Sequence, residues 1–523
     1  MVQGTSSFGL LSPKASRRDA LKLSLALGTM PLLGHSPAAA QPVRGGSLKL
    51  ASRHGSTTDT TDPALGTNGY QVLLGLAFAN TLTEVLPDGT VGPALAESWD
   101  SNDAKVWQLK LRRGVTFHDG RTFKASDAVA SLNHHRSSES KSYVKPITEQ
   151  FDTVEAPGEH ELRITLKNPN ADLPAILNIP AFAMFPADGE KMDWSSRNGT
   201  GGYILKEFEP GIRARLVRNP NYYRDDRAFF AEAELLCIQD STARTSALLS
   251  GDAHAIDEVD LKTSNLLAAQ QSIVLERVAG PLHYTFPMRT DVAPFNDVNV
   301  RLALKYAIDR EEILDKILYG FGSLGNDTPI GPSYRYWAKD LEQRTYDPDR
   351  ARFHLKKAGM ENLKVDLSTA EAAFSGATDA ATLYAQHARK AGIEINVVRE
   401  PNDAYWDNVW LKKPFCACYW GGYPTEGEMF AIGYAPGAAW NDTYWTEAKF
   451  ESLRMAVLAE LDPDKRRGMY AEMQQIVRDD GGALVFAFAE YVMALSKSLA
   501  HGPLSTGGAF DSYRAVERWW FAD

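Results

Sequence analysis

The chain predicts an α/β protein with mixed sheets and more than one domain, on three observations. Its composition is that of an ordinary globular protein: 44% of 523 residues are hydrophobic, 23% charged and 10% aromatic, which excludes disordered and collagen-like classes. Alternating apolar–polar stretches of strand length are interspersed with longer amphipathic ones, so both periodicities occur along one chain. At ~100 to 200 residues per domain the length gives two to four domains, and no period of 20 to 50 residues marks a solenoid or propeller.

From the amino terminus, residues 14–40 (KASRRDALKLSLALGTMPLLGHSPAAA) combine a basic start, an apolar stretch broken by Gly28 and Pro31, and small residues at the end. This is the pattern of an export signal, cut after Ala40. Its Ser16-Arg17-Arg18-Asp19-Ala20-Leu21-Lys22 core resembles the twin-arginine signal, with Ala20 where Phe is usual. Residues 1–40 are therefore assigned as a twin-arginine export signal. No later stretch reaches the ~18 consecutive apolar residues of a membrane span, so the mature chain is expected free in the periplasm.

Strands are expected at 46–51 (GSLKLA), 106–111 (VWQLKL), 161–166 (ELRITL), 214–217 and 393–398 (IEINVV), where apolar residues recur at every second position. Helices are expected at 125–134, 297–318, 349–358, 379–391 and 463–479. The second carries Leu304, Ala307, Ile308, Leu314, Ile317 and Leu318 on a 3.6-residue stripe, with Asn296 or Asp297 as cap. Two helices end in a basic turn followed by Gly359 and Gly392, since cations suit a helix C-terminus and glycine accepts the left-handed cap. The second runs straight into IEINVV, an αβ step of a mixed domain.

Charge and motifs narrow the chemistry. The formal charge of −10 and the absence of a basic stripe argue against nucleic-acid binding. Cys237, Cys416 and Cys418 form neither a disulfide framework nor a zinc pattern, and the last two read as packed small hydrophobes. No GxSxG, HExxH or GxxxxGK[ST] motif is present. A GxGxxG match at Gly320–Gly325 follows a helix rather than joining a strand to one, so it reads as a flexible loop. His134 and His135 would point ~100° apart on a helix, a poor chelating pair. His118-Asp119-Gly120 reads as a turn. No metal, catalytic residue or cofactor is assigned. Ten Trp and Tyr residues crowd positions 405–445, interleaved with glycines, which suggests loops that line a pocket alongside an aromatic core.

Several long blocks carry a resemblance. PALAESW (93–99), VWQLKLRRGVTFHDG (106–120) with KASDAV (124–129), Gly201-Gly202-Tyr203, and PFNDVNVRLALKYAIDR (294–310) closely resemble the peptide and nickel class of periplasmic solute-binding proteins, the receptors of ABC importers. The resemblance implies a two-lobed, three-domain fold with a hinged cleft. Domain I would be discontinuous, at 41–77, 185–280 and 480–523; domain II would be an insertion at 78–184; domain III, at 281–479, would form the second lobe. It implies a non-enzymatic receptor that binds a peptide-like or other small organic solute and delivers it, as a monomer, to an inner-membrane ABC permease with its ATPase. A nickel or metallophore receptor and an opine or sugar-conjugate receptor are the alternatives on the same fold.

The chain departs from that family at two ligand anchors. Dipeptide receptors hold the peptide amino group with an Asp in a stretch like WxGDxxDP; here Trp420-Gly421-Gly422-Tyr423 places Tyr423 at the Asp position. They hold the carboxylate with an Arg in a loop that here, at 368–378, contains no Arg. An unpaired buried carboxylate costs several kcal/mol, so ordinary dipeptides are expected to bind poorly. Glu426 and Glu428 remain to receive a cationic group, and Arg289 or Arg399 to meet an acidic one. The expected ligand-binding residues are Trp420 as a stacking face, Gly421 and Gly422 as room and backbone donors, and Tyr423 and Asn441 as neutral hydrogen-bonding groups, with Trp440 behind.

Overall fold

The computed structural model describes residues 42–522, so the export signal assigned to 1–40 lies outside the described residues. Its backbone is organised by a nine-stranded mixed sheet. In sheet order the strands are Tyr203–Glu209, Arg213–Arg218, Glu232–Cys237, Ser47–Ser52, Ala255–Ile256, Ala483–Ser496, Ile273–Pro287 and Cys418–Trp420, with Gly322–Leu324 also paired to Ala483–Ser496. Ser47–Ser52 runs parallel to both its neighbours and the other pairings are antiparallel.

Two strands in this sheet are unusually long, Ile273–Pro287 with 15 residues and Ala483–Ser496 with 14. They pair along almost their whole length, with register shifts between Ala279 and His283 and between Tyr284 and Thr285. On one side of the shifts, Val278, Met493 and Leu495 pack into a core with Leu48, Tyr70, Leu235 and Trp519. On the other, Phe286, Leu484 and Phe486 pack into a core with Leu304, Leu367 and Tyr384. One continuous ribbon thus serves two cores, and the irregular register lies between them.

A four-stranded antiparallel sheet, ordered Ala96–Asp100, Val106–Leu111, Glu161–Leu166, Phe151–Gly158, makes a further core. In Val106–Leu111 the residues Trp107, Leu109 and Leu111 turn inward and alternate with exposed Gln108 and Lys110, the pattern expected of a half-buried strand. Leu363–Thr369 and Ile393–Arg399 form a parallel pair joined by the helix Ala377–Arg389. The first and last described stretches meet, because Val43 bridges Phe521 and the Phe521 ring lies against Gly46.

Most expected elements lie within one or two residues of their assigned bounds, and the glycines after two helices are left-handed, with φ of 75° at Gly359 and 76° at Gly392. Two local expectations need correction. The helix expected over 297–318 is two, Val298–Tyr306 and Arg310–Ile317, because Asp309 stops the chain in extended conformation and caps the second through the Glu312 amide. The glycines at 320–325 do not form a flexible loop but carry the short strand Gly322–Leu324. A Cβ on Gly322 would stand 2.4 Å from the Phe488 carbonyl oxygen, so close backbone approach explains the glycine. In the helix Ala125–His134, Asp127 at the third position accepts from the Lys124 amide and also from the Ala187 amide.

The turn at His118 is a structural joint. Gly120 has φ of 90°, and Gly120 N donates to Phe117 O. The half-buried His118 ring bonds the Gly201 carbonyl through Nε2 at 3.1 Å, and its backbone amide donates to Gly199 O. Burial holds this imidazole below its ordinary pKa, so the neutral ring is favoured. Two sequence blocks some 80 residues apart therefore meet in space. Among the described residues no helix is long and apolar enough to cross a membrane.

Candidate functional site

The edge strand Cys418–Trp420 lies against Ile273–Pro287, pairing His283 with Trp420 and Tyr284 with Tyr419. Strand alternation buries Cys418 and Trp420 and leaves Tyr419 43% exposed. The chain then turns sharply at Gly421-Gly422. Gly422 has φ of 85°, and a Cβ there would fall 2.2 Å from Pro281 Cβ, so the turn requires glycine twice over. Tyr423 leaves the turn with its amide donating to the Tyr334 hydroxyl at 3.0 Å, and Thr425 caps the helix Glu426–Gly433.

This turn walls a cavity of about 390 Å³. Gly421, Gly422, Tyr423 and Glu426 line one side, Asp172 and Asn178 another, and Tyr491, Thr506 and Tyr513 a third. The walls thus come from segments belonging to different cores. Glu426 is buried with one oxygen accepting from the Tyr336 amide. Burial pushes its carboxyl up to about 7, and burial together with the neighbouring Asp172 does the same to Glu428.

A second cavity, of about 570 Å³, lies beyond Tyr491, which lines both. It is walled by Leu282, Tyr284, Phe374, Tyr419 and, at a polar corner, Arg53, His54 and Glu258. Tyr284 and Phe374 stack at 4.4 Å. Glu258 accepts from His54 Nε2 at 2.6 Å and pairs with Arg53. Burial opposes its ionisation, but these two partners outweigh it and hold the carboxyl down to about 2. The loop that lacks Arg reaches this cavity through Ala372–Ser375.

Of the six expected site residues, Gly421, Gly422 and Tyr423 lie on a cavity wall; Trp420, Trp440 and Asn441 do not line either cavity. The Trp420 indole turns inward and donates to Asp442 Oδ2 at 3.2 Å, sharing that oxygen with Trp410 at 3.1 Å. Burial raises the Asp442 carboxyl to about 6. Trp440 is half exposed, its ring 6.1 Å from Trp410 and 6.3 Å from Trp420. Asn441 spends its amide on the Ala435 and Trp445 carbonyls, within its own loop. Arg289 pairs with Asp291 and covers Tyr444, and Arg399 is exposed; neither lines a cavity. Asp172, Tyr491, His54 and Glu258 had no motif to mark them, since each owes its place to the packing of distant segments.

Two cores sharing a continuous strand pair, with cavities between them, define a two-lobed binding protein. Residues 90–442 match the model of the bacterial extracellular solute-binding proteins, family 5, middle, and the chain belongs to this family of solute-binding receptors. It is 30% identical over 295 residues to the nickel-binding periplasmic protein of Escherichia coli, a stretch covering 53% of this chain and about half, 55%, of that protein. It is 26% identical over 475 residues to the glutathione-binding protein GsiB of Salmonella choleraesuis, covering 87% and 90% of the two chains. In fold it resembles HbpA2 from Haemophilus parasuis, with a TM-score of 0.79 at 19% identity over 89% of this chain and 99% of that one. It also resembles DppA from Helicobacter pylori in complex with peptide STSA, with a TM-score of 0.69 at 22% identity over 92% and 99%.

Proposed function

We propose that this protein is a non-enzymatic periplasmic receptor that takes a small organic or peptide-like solute into the cleft between its lobes and hands it to an inner-membrane ABC permease with its ATPase. In this reading it is exported by the twin-arginine route and acts as a monomer. The segments 41–77, 185–280 and 480–523 make domain I, 78–184 domain II and 281–479 domain III. The observation that carries the reading is the 390 Å³ cavity walled by residues from the segments 78–184, 281–479 and 480–523, large enough for a compact solute. Gly421, Gly422 and Tyr423 contact the solute, and Trp420, Trp440 and Asn441 support that turn from behind.

The cavity chemistry favours a ligand other than a free dipeptide. Tyr423 offers a neutral phenol where dipeptide receptors offer a carboxylate, and the Ala372–Ser375 wall offers no guanidinium. The test is thermal unfolding of the mature protein against dipeptides, longer peptides, opine-like conjugates, oligosaccharides, quaternary amines and nickel. A ligand at ~100 times its Kd adds about 2.7 kcal/mol, enough to raise Tm measurably. A shift confined to conjugates, sugars or amines is expected; a shift with ordinary dipeptides would overturn the specificity argument, and a shift with nickel alone would replace it with metal uptake.

A further inference from the structure

Among the described residues, one ion pair with both side chains buried joins the core of the four-stranded sheet to the core that holds Trp420. Asp172 follows the four-stranded sheet and precedes Leu173, Ile176 and Leu177 of that sheet's core. Arg466 lies on the helix Pro463–Asp480, whose Tyr470, Met473 and Val477 belong to the core that holds Trp420. Arg466 Nη2 donates to Asp172 Oδ1 with both side chains buried, 5% and 7% exposed. The guanidinium lies over the rings of Tyr336 and Tyr470, at 5.2 and 5.7 Å, and the Tyr470 hydroxyl also reaches Asp172. Beside the pair, the Ala171 amide donates to the Leu458 carbonyl at 2.7 Å. Gly427 leaves room for the carboxylate, since a Cβ there would stand 3.0 Å from Asp172 Oδ2.

We infer that Asp172 and Arg466 form a latch, a joint between lobes whose closing sets how much of the solute-free protein is shut. This latch rests on the two-lobed reading above but not on the identity of the solute. An ion pair buried within one domain stays buried until the domain unfolds. A pair divided between two lobes is different, because hinge opening returns both charges to water while each lobe stays folded. Removing one partner therefore penalises the closed state and leaves the open state nearly untouched. Asp172 also lines the cavity, so the latch and the solute act on the same closure.

The experiment is small-angle scattering on solute-free mature protein, wild type, Asp172→Asn and Arg466→Gln, paired with thermal unfolding of each. A compact chain of this length has a radius of gyration of about 23 Å. Both variants are expected to scatter as larger particles than wild type while unfolding cooperatively within a few degrees of it. The double variant should open no further than the larger single effect, because the pair acts as a unit. An unchanged radius with a large fall in Tm would overturn the latch and make the pair an ordinary structural one. An unchanged radius with an unchanged Tm would overturn it too. Neither result would touch the ligand panel, which reads solute binding directly.

Discussion

Glu426 and Glu428 are withdrawn from water and sit beside the Asp172 carboxylate, and both conditions disfavour their ionisation; the Arg466 cation only partly offsets this at Glu426. Their carboxyls rise from an ordinary 4.5 to about 7. Between those values the folded protein holds protons that the unfolded chain has released, so stability falls as pH rises from about 4.5 through about 7. Glu426→Gln keeps an acceptor for the Tyr336 amide and removes the ionisation. The variant should match wild type near pH 5 and exceed it at pH 8 by about 3 kcal/mol. Denaturant unfolding across that range checks this, and parallel slopes for the two proteins would refute it. At Tyr423, the substitution Tyr423→Asp returns a carboxylate to the cavity wall. It should strengthen binding of a ligand ammonium group, so a dipeptide that leaves the wild-type Tm unmoved should raise that of the variant.

At the scale of elements, glycines and caps fix where segments can meet. Gly201 lies against the end of the helix Gly69–Phe78, where a Cβ would stand 2.4 Å from the Phe78 carbonyl carbon and 2.7 Å from Ala77 O. Both are backbone atoms that cannot swing aside, so Gly201→Ala should destabilise by about 3 kcal/mol. Chemical denaturation reads it, and a loss below 1 kcal/mol would show that the joint can relax. Asp309→Ala removes the cap on Arg310–Ile317 and should cost about 1 kcal/mol. Such elements were largely legible beforehand. VWQLKL and ELRITL alternate cleanly because one face of their sheet is buried, and the helix Pro463–Asp480 begins with its own Asp462 cap and Pro463. The break at Ala307–Asp309 was hidden because the apolar stripe continues across it while the cap does not. Trp420 was misleading for a similar reason: its place beside two glycines suggested a face toward ligand, whereas strand parity and the Asp442 carboxylate turn its ring inward. Asp172 and Arg466, 294 positions apart, could be joined only by the fold.

For the whole molecule, the chain leaves the first core, builds the other, and returns along Ala483–Ser496. The irregular register between Ala279 and His283 falls beside Pro281 and Leu282, each of which lines one of the two cavities. A solute pressing on either wall thus presses on the region where the paired strands are least constrained by regular hydrogen bonding. That return path has a second result. Because Val43 bridges Phe521, the two ends of the described chain are already neighbours in one core. Circular permutation should therefore be tolerated: a linker of a few residues would join the ends, and new termini could open at the exposed Pro436-Gly437 turn without interrupting any strand.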